Sequence, residues 1–584
     1  MELSGKRRAL AIFHRYWPWI IAVFFAFLLT WPLLLAGERV FVSDLQGDGV
    51  ITPWIYDFTS RELIHGRWPL ALTDFDFPFP RGLSETERSL FATVPPIDAV
   101  LMAPVAWLLS WPTQWNATIF IAMLVNAAGA VTLARAMGCQ KLGLVVASVL
   151  GVSCGPIWIE AFEGRANCMF PGLTLMSIAA LFASLPQGLE TPFRKRFVLS
   201  VLAAVLGWLS FVIYPPGLVL WVPVVLLVGL RHVLKRRWVG IKELRLPAVL
   251  ILGAYLLALP TLWEMADSGW VMQEFTHVEC PPGGRVLTLD ELAKMNVGEP
   301  FRGISLGLWV LAPFALIEKE RRKLMGALLV LATFMAFLSL GPCPVGGRTL
   351  GEAGFGALWT WPILGDTSWW ALSYLHYYDR LAVVACLLLA ILSAVGAEVL
   401  WERTKTGSRS IVVFFVAIVL FQVASLHWRT LMDAERWQEV GELETASFLE
   451  EAPEGAVVEL PFDQRDQFLS VLESSKHHRL NPLRPQGKRH RGRMAKPRKN
   501  EVVWTWFDGL GRGEHVELAP RRAEISESGI RWIFYDPQRC LGDGAWVPTE
   551  GCNTTILTQL EAVLGRGRRL GKDGVLLWEV AGSY

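Results

Sequence analysis

Charge is what this chain has least of. Asp, Glu, Lys and Arg together make up 18% of its 584 residues, 53% are hydrophobic and the mean hydropathy is +0.37. A soluble globular chain carries roughly 25% charged residues, so this balance excludes that class. The eight cysteines form no Cys-x-x-Cys pair and no clustered Cys/His spacing, which gives no sign of zinc. No glycine-rich lysine loop for cradling phosphates is present, and with it goes the signature of an ATP-driven pump.

Apolar runs are there instead, long enough to cross roughly 30 Å of hydrocarbon, and they recur through the first 427 residues and then stop. The pattern predicts spans near 17–37, 116–136, 141–157, 169–185, 198–214, 216–230, 246–264, 304–318, 324–341, 379–400 and 411–427, eleven in all. Trp, at 27 residues, sits at many of their ends, as in Trp17-Pro18-Trp19 and Trp369-Trp370, where an amphipathic ring favours the headgroup level. The first run is too long for the apolar core of a cleaved signal and is read as an uncleaved span.

A twelfth run, 91–111, contains Pro95, Pro96, Asp98 and Pro104. Leaving it uncounted puts the clusters Arg194-Lys195-Arg196, Arg231 with Lys235-Arg236-Arg237, Arg321-Arg322-Lys323 and Arg403 with Lys405 all on the side of the amino terminus. Counting it would invert every later loop. By the positive-inside rule the amino terminus is cytoplasmic, and 91–111 is a re-entrant or interfacial helix on the outer face. The outer side then carries the long first loop and everything after Trp428. The expected organisation is a polytopic α-helical domain over 1–427, with a large first outer loop over 38–115, and a small extracytoplasmic α/β domain over 428–584, in the cytoplasmic (inner) membrane of the cell.

The first outer loop holds Gly47-Asp48, then His65-Gly66 through Pro69, then Asp74 through Gly82. Further on come Ala134-Arg135-Ala136-Met137-Gly138, Gly155-Pro156 through Asn167, Leu338-Ser339-Leu340-Gly341-Pro342 and Tyr378-Asp379-Arg380-Leu381. In these short motifs the chain resembles the membrane glycosyltransferases of the GT-C fold class, among them protein O-mannosyltransferases and aminoarabinose transferase-like bacterial proteins. The resemblance implies transfer of a sugar from a polyprenyl-phosphate donor to a glycan, lipid or protein acceptor at the outer face, by direct displacement at the anomeric carbon.

That chemistry needs a carboxylate to draw a proton from the acceptor hydroxyl and a cation to stabilise the departing phosphate. Asp48 is the candidate base, with Asp44 beside it. The loop Glu160, Glu163, Arg165, Asn167 offers a second acidic position, since four such residues between apolar runs are costly without a purpose; a plain Glu163–Arg165 surface pair is the competing reading. Arg380, with His376 nearby, is the candidate phosphate ligand because its planar fork of donors suits phosphate oxygens. Relatives usually carry that Arg in an Arg-x-Pro-like context that is missing here, and the alternative is a snorkelling residue partnered by Asp379. His65 and Asp74 complete the candidate substrate contacts. Asp74-Phe75-Asp76 has the form of a metal-holding D-x-D, so a divalent metal stays open. Gly303-Ile304-Ser305-Leu306-Gly307 matches a nucleophile elbow by letters only.

Of the cysteines, Cys540 with Cys552, and Cys280 with Cys343, are positioned to pair in an oxidising compartment, whereas the rest lie in or beside apolar runs as small core residues. In the tail, a polar helical stretch to Glu451 precedes strand-like runs at 455–462, 531–535 and 575–580, with helical spacing from Thr555 to Gly565. Residues 479–499 hold nine Lys or Arg and no acid, a patch for anionic headgroups if folded against the membrane and a solvated loop otherwise. Nucleic acid is not an expected partner. The competing function is a lipid-linked glycan transporter or an envelope assembly factor, but a transporter places ionisable residues near mid-span, and Glu264, Asp379 and Glu398 all lie near ends.

Overall fold

The computed structural model describes residues 2–37, 40–43, parts of 52–66, 97–109, 113–165, 168–185, 192–213, 218–236, 238–267, 303–319, 321–339, 380–433, 437–439, 448–449, 451–453, 456–460, 501–511, 515–528, 530–537, 552–570 and 574–580. The chain divides into two compact units. One comprises 1–35, 116–161 and 166–436; the other comprises 36–115, 162–165 and 437–584.

The first unit is helical, because a segment in hydrocarbon has to satisfy its backbone N–H and C=O groups within itself. Its helices are α1 (Glu2–Leu35), α2 (Thr113–Ala136), α3 (Leu142–Val152), α4 (Gly155–Phe162), α5 (Pro171–Ser184), α6 (Phe193–Ile213), α7 (Leu218–Arg236), α8 (Trp238–Asp267), α9 (Leu306–Leu311), α10 (Arg322–Leu338), α11 (Arg380–Arg403) and α12 (Arg409–Leu431), with a 3-10 turn at Ala312–Ile317 after α9; α2 begins and α4 ends in the second unit. Among the described residues six segments can cross a membrane by length and composition: Tyr16–Leu35, Thr113–Ala136, Leu142–Phe162, Phe193–Ile213, Arg380–Arg403 and Thr406–Leu431. The chain is a multi-pass membrane protein.

Helix α11 is its centre. From Leu381 to Val399 almost every residue is buried, so this helix is apolar all round and enclosed all round. Near its far end Glu398 accepts hydrogen bonds from the backbone N–H groups of Gln140, Lys141 and Gly143 at 2.8–3.2 Å, a carboxylate seated on the amino terminus of α3. Helices α2 and α5 meet backbone to backbone: a Cβ on Gly129 would lie 2.3 Å from the carbonyl oxygen of Gly172, and one on Gly172 would lie 2.3 Å from that of Val125. Asn126 locks this crossing, its side chain donating to the Met169 carbonyl and accepting from the Gly172 N–H, both at 2.8 Å. Cys139, Cys154, Cys168 and Cys386 are buried, in keeping with a packing role. Cys280, Cys343 and Cys540 lie outside the described residues.

In the second unit, strand β1 (Val40–Val42) pairs antiparallel with β2 (Trp437–Glu439). The polar stretch after 428 was expected to be helical to Glu451; α12 instead ends at Leu431, and the extended backbone at 437–439 is held by that pairing. A four-stranded sheet in the order β3-β4-β6-β5 is formed by β3 (Ala456–Leu460), β4 (Ile530–Tyr535), β5 (Arg568–Leu570) and β6 (Val575–Glu579). Strands β3 and β4 run parallel and the other pairs antiparallel. Alternation at period two divides its side chains. Val458, Leu460, Ile533, Tyr535 and Trp578 pack with Trp506, Phe507, Ile556 and Leu560 from α13 (Glu501–Gly511) and α14 (Cys552–Leu564), while Val457, Trp532, Phe534 and Leu577 pack with Leu449 on the other face. Gly565, at φ +82°, ends α14 in the left-handed conformation that glycine adopts without strain.

Candidate functional site

In the first unit the site begins on α4, the closing part of the segment Leu142–Phe162, whose Glu160 is 2% exposed. An ionised side chain is kept at such a position only with a partner, and the partner is Arg380, whose Nε donates to Glu160 Oε1 at 3.3 Å. Arg380 is the first residue of α11. A cation there meets the positive end of the helix dipole, and the Glu160 carboxylate offsets that repulsion. The result is a guanidinium fork at a helix start, two features that both favour phosphate oxygens. His427, on α12, donates from Nε2 to the Leu29 carbonyl at 2.9 Å and lies against Trp158 of α4 with 4.7 Å between ring centroids, fixing α4 from a different side.

In the second unit Glu163 and Arg165 form an ion pair at 2.7 Å, off the ideal hydrogen-bonding direction. Both are buried, so this is not a surface pair. The Ser43 hydroxyl donates to the carbonyl of Phe162 at 2.9 Å, which brings the residue before Asp44 against the residue before Glu163. Two further contacts hold this start of the first outer loop: the β1–β2 ladder, and the Trp115 indole, which donates to the Val42 carbonyl at 3.2 Å.

Asp98 lies in a twelve-residue helix at Ile97–Leu108, too short to cross a bilayer. Its Oδ2 accepts from the Tyr56 hydroxyl at 2.5 Å, and the Tyr56 ring is edge-on to Trp115 at 5.7 Å. Its Oδ1 is buried without a hydrogen-bond partner among the described residues. Burial raises the Asp98 carboxyl to about 6, against the opposing pull of the Tyr56 hydroxyl and of the helix-start N–H groups.

Of the residues expected from sequence, Glu160 is with Arg380 and Glu163 is with Arg165. Asp44, Asp48, His65, Asp74, Asn167 and His376 lie outside the described residues, as does Asp379, so the partner established for Arg380 is Glu160. Sequence reasoning missed Ser43 and Tyr56, which carry no motif; the only signal for Tyr56 is that a buried Asp98 needs a donor. Ser305 caps α9 through the Gly307 N–H and lies 2.8 Å from Gln422, so it is a helix cap and no nucleophile elbow. Among the described residues no three His, Cys, Asp or Glu gather as a metal site.

No family model matches the chain, and no curated protein matches it. Among solved structures, that of the arabinofuranosyltransferase AftD from Mycobacteria aligns with 99% of this chain at 15% identity and a TM-score of 0.51. The alignment covers 40% of that protein, so this chain spans well under half its length. The oligosaccharyltransferase of Archaeoglobus fulgidus aligns at 12% identity over 91% of this chain and 70% of its own, with a TM-score of 0.48. ArnT from Cupriavidus metallidurans aligns at 12% identity over 99% of both chains, with a TM-score of 0.47. The last two overlap too loosely to carry an argument. The first shows likeness of fold: the chain shares the fold of that arabinofuranosyltransferase.

Proposed function

We propose that this protein transfers a sugar from a polyprenyl-phosphate donor to an envelope glycan, lipid or protein acceptor on the outer face of the cytoplasmic membrane. The eleven-span topology, with the amino terminus inside and the tail outside as an α/β domain, belongs to the same reading. The observation that carries it is the Ser43–Phe162 hydrogen bond. It joins the start of the acidic first outer loop to the segment bearing Glu163 and Arg165, whose charges are buried and paired. Ionisable groups are kept at a membrane boundary when they have work there.

The roles follow from the chemistry of displacement. Asp48, or Asp44, takes the proton of the acceptor hydroxyl as its oxygen bonds to the anomeric carbon. The bond from that carbon to the phosphate oxygen breaks, and its electron pair leaves with the polyprenyl phosphate. Arg380 and the start of α11 stabilise the charge on that phosphate, with His376 assisting. Glu160 orients the Arg380 guanidinium. His65, Asp74, Glu163, Arg165 and Asn167 contact the substrates.

Mass spectrometry of lipid-linked sugars and envelope glycans, in cells with the protein, without it, and with Asp48→Asn, tests the reading. The expected result is loss of one glycan modification with its lipid-phosphate donor accumulating in both deficient strains. Unchanged donors and glycans in the strain lacking the protein would overturn the transferase, and a normal profile in Asp48→Asn at normal expression would remove Asp48 from the mechanism.

A further inference from the structure

Asp98, in the second unit, is a carboxyl that no cation answers among the described residues. It is 1% exposed, its Oδ2 is taken by the Tyr56 hydroxyl, and its Oδ1 has no hydrogen-bond partner among those residues. The groups facing it are Tyr56, the uncharged Trp115 beyond that ring, and the backbone N–H groups of Asp98 and Ala99 at the helix start. The later turns of the same helix are held by neutral contacts: the Ser60 hydroxyl donates to the Ala103 carbonyl at 3.4 Å, and the Trp107 indole donates to the Ser60 carbonyl at 3.1 Å. Of these contacts, the one at Asp98 is the one a proton can alter.

From there a continuous line of contacts leads to the acidic loop. The Tyr56 ring stands edge-on to Trp115 at 5.7 Å, and the Trp115 indole donates to the Val42 carbonyl at 3.2 Å. Val42 closes β1, and the chain runs on through Ser43 into Asp44 and Asp48. Tyr56, Trp115 and Val42 are all buried, so none of the three shifts without the next one feeling it. An ionised Asp98 is a dry charge with one side-chain donor and no counter-ion among the described residues, a state relieved by admitting water between carboxylate and phenol. The Tyr56 ring then loses its anchor, and Trp115 loses the wall that aims its indole at Val42.

We propose that Asp98 and Tyr56 are positioning residues for the loop carrying Asp44 and Asp48: the neutral Asp98 carboxyl latches the β1 end of that loop through Trp115, and its ionisation releases it. The purpose of the latch rests on the sugar-transfer reading; its geometry does not. Burial holds the Asp98 proton up to about pH 6, so the latch is closed on the acid side of that value and opens above it. On the sugar-transfer reading, transfer is therefore favoured where the outer face is acidic.

The test is amide exchange of the full chain in nanodiscs, read by mass spectrometry over Val40–Ser43 at about pH 5 and about pH 8, each relative to the amides of α11. So normalised, exchange of that segment in the native protein is expected to be about tenfold faster at the higher pH. Asp98→Asn keeps an acceptor for the Tyr56 hydroxyl without the charge, and the segment stays slow at both values. Trp115→Phe keeps a ring beside Tyr56 but has no N–H for Val42, so the segment is fast at both values while thermal melts still follow the Asp98 titration. Asp98→Asn decides the matter should Trp115→Phe fail to fold. No pH response in the native segment, or an undiminished response in either variant, overturns the inference. Exchange needs no sugar donor, so failure here is distinct from failure of the transferase reading, which the glycan profiles test.

Discussion

At Asp98 a buried carboxyl has, among the described residues, one side-chain donor, the Tyr56 hydroxyl. Its value in the folded chain, about 6, lies above the ordinary 3.8, so the folded state holds the proton more tightly than the unfolded one. The associated stabilisation, about 3 kcal/mol, is present in full below the unfolded value and is lost as pH rises through about 6. Thermal melts in detergent across that window should show the native chain losing stability relative to Asp98→Asn, which does not titrate; parallel curves for the two proteins would refute this. The Glu160–Arg380 pair makes a second prediction. Glu160→Gln leaves a largely buried guanidinium without its counter-charge and should cost about 3 kcal/mol, and the double change Glu160→Gln with Arg380→Gln should cost less than the sum of the two singles in the same melts. Sequence could nominate Arg380 but offered Asp379 as its partner, because adjacency along the chain is visible and a contact across 220 residues is not.

Helix starts and crossings govern stability at the next scale. Glu398→Ala removes the acceptor for three N–H groups at the beginning of α3 and should lower stability by about 2 kcal/mol, read as a fall in melting temperature, with Glu398→Gln losing less. Gly172→Ala forces a methyl to 2.3 Å from the Val125 carbonyl. Neither backbone can give way without separating α2 from α5, so the variant should show an overpacking penalty of about 3 kcal/mol or more and a reduced yield of monodisperse protein on size exclusion. Long apolar helices such as α2, α11 and α12 were legible because their composition alone dictates how their backbones are satisfied. Strands β3, β4 and β6 fall where alternating or apolar runs bounded by turns had been found. Strands β1 and β2 were not legible: three residues cannot display a period, and each is extended only because the other is there.

For the molecule as a whole, the two compact units do not follow the order of the chain. The second unit gathers 36–115, 162–165 and 437–584, so its start and its finish flank every helix of the bundle except α1 in sequence. A linear reading separates first loop from tail because composition changes near 428 and nothing in the residues announces that Val42 will pair with Trp437. A chain ended at Arg436 should therefore lose amide-exchange protection at Val40–Val42 while keeping it along α11, which draws its packing from the first unit. The same ladder sets a timetable for biogenesis. Ribosomes add about 5–20 residues per second, and some 400 residues separate the paired strands, so β1 stays unzipped for about 20–80 s after it is made. A nascent chain therefore cannot complete the β1–β2 pairing until Trp437–Glu439 has been delivered.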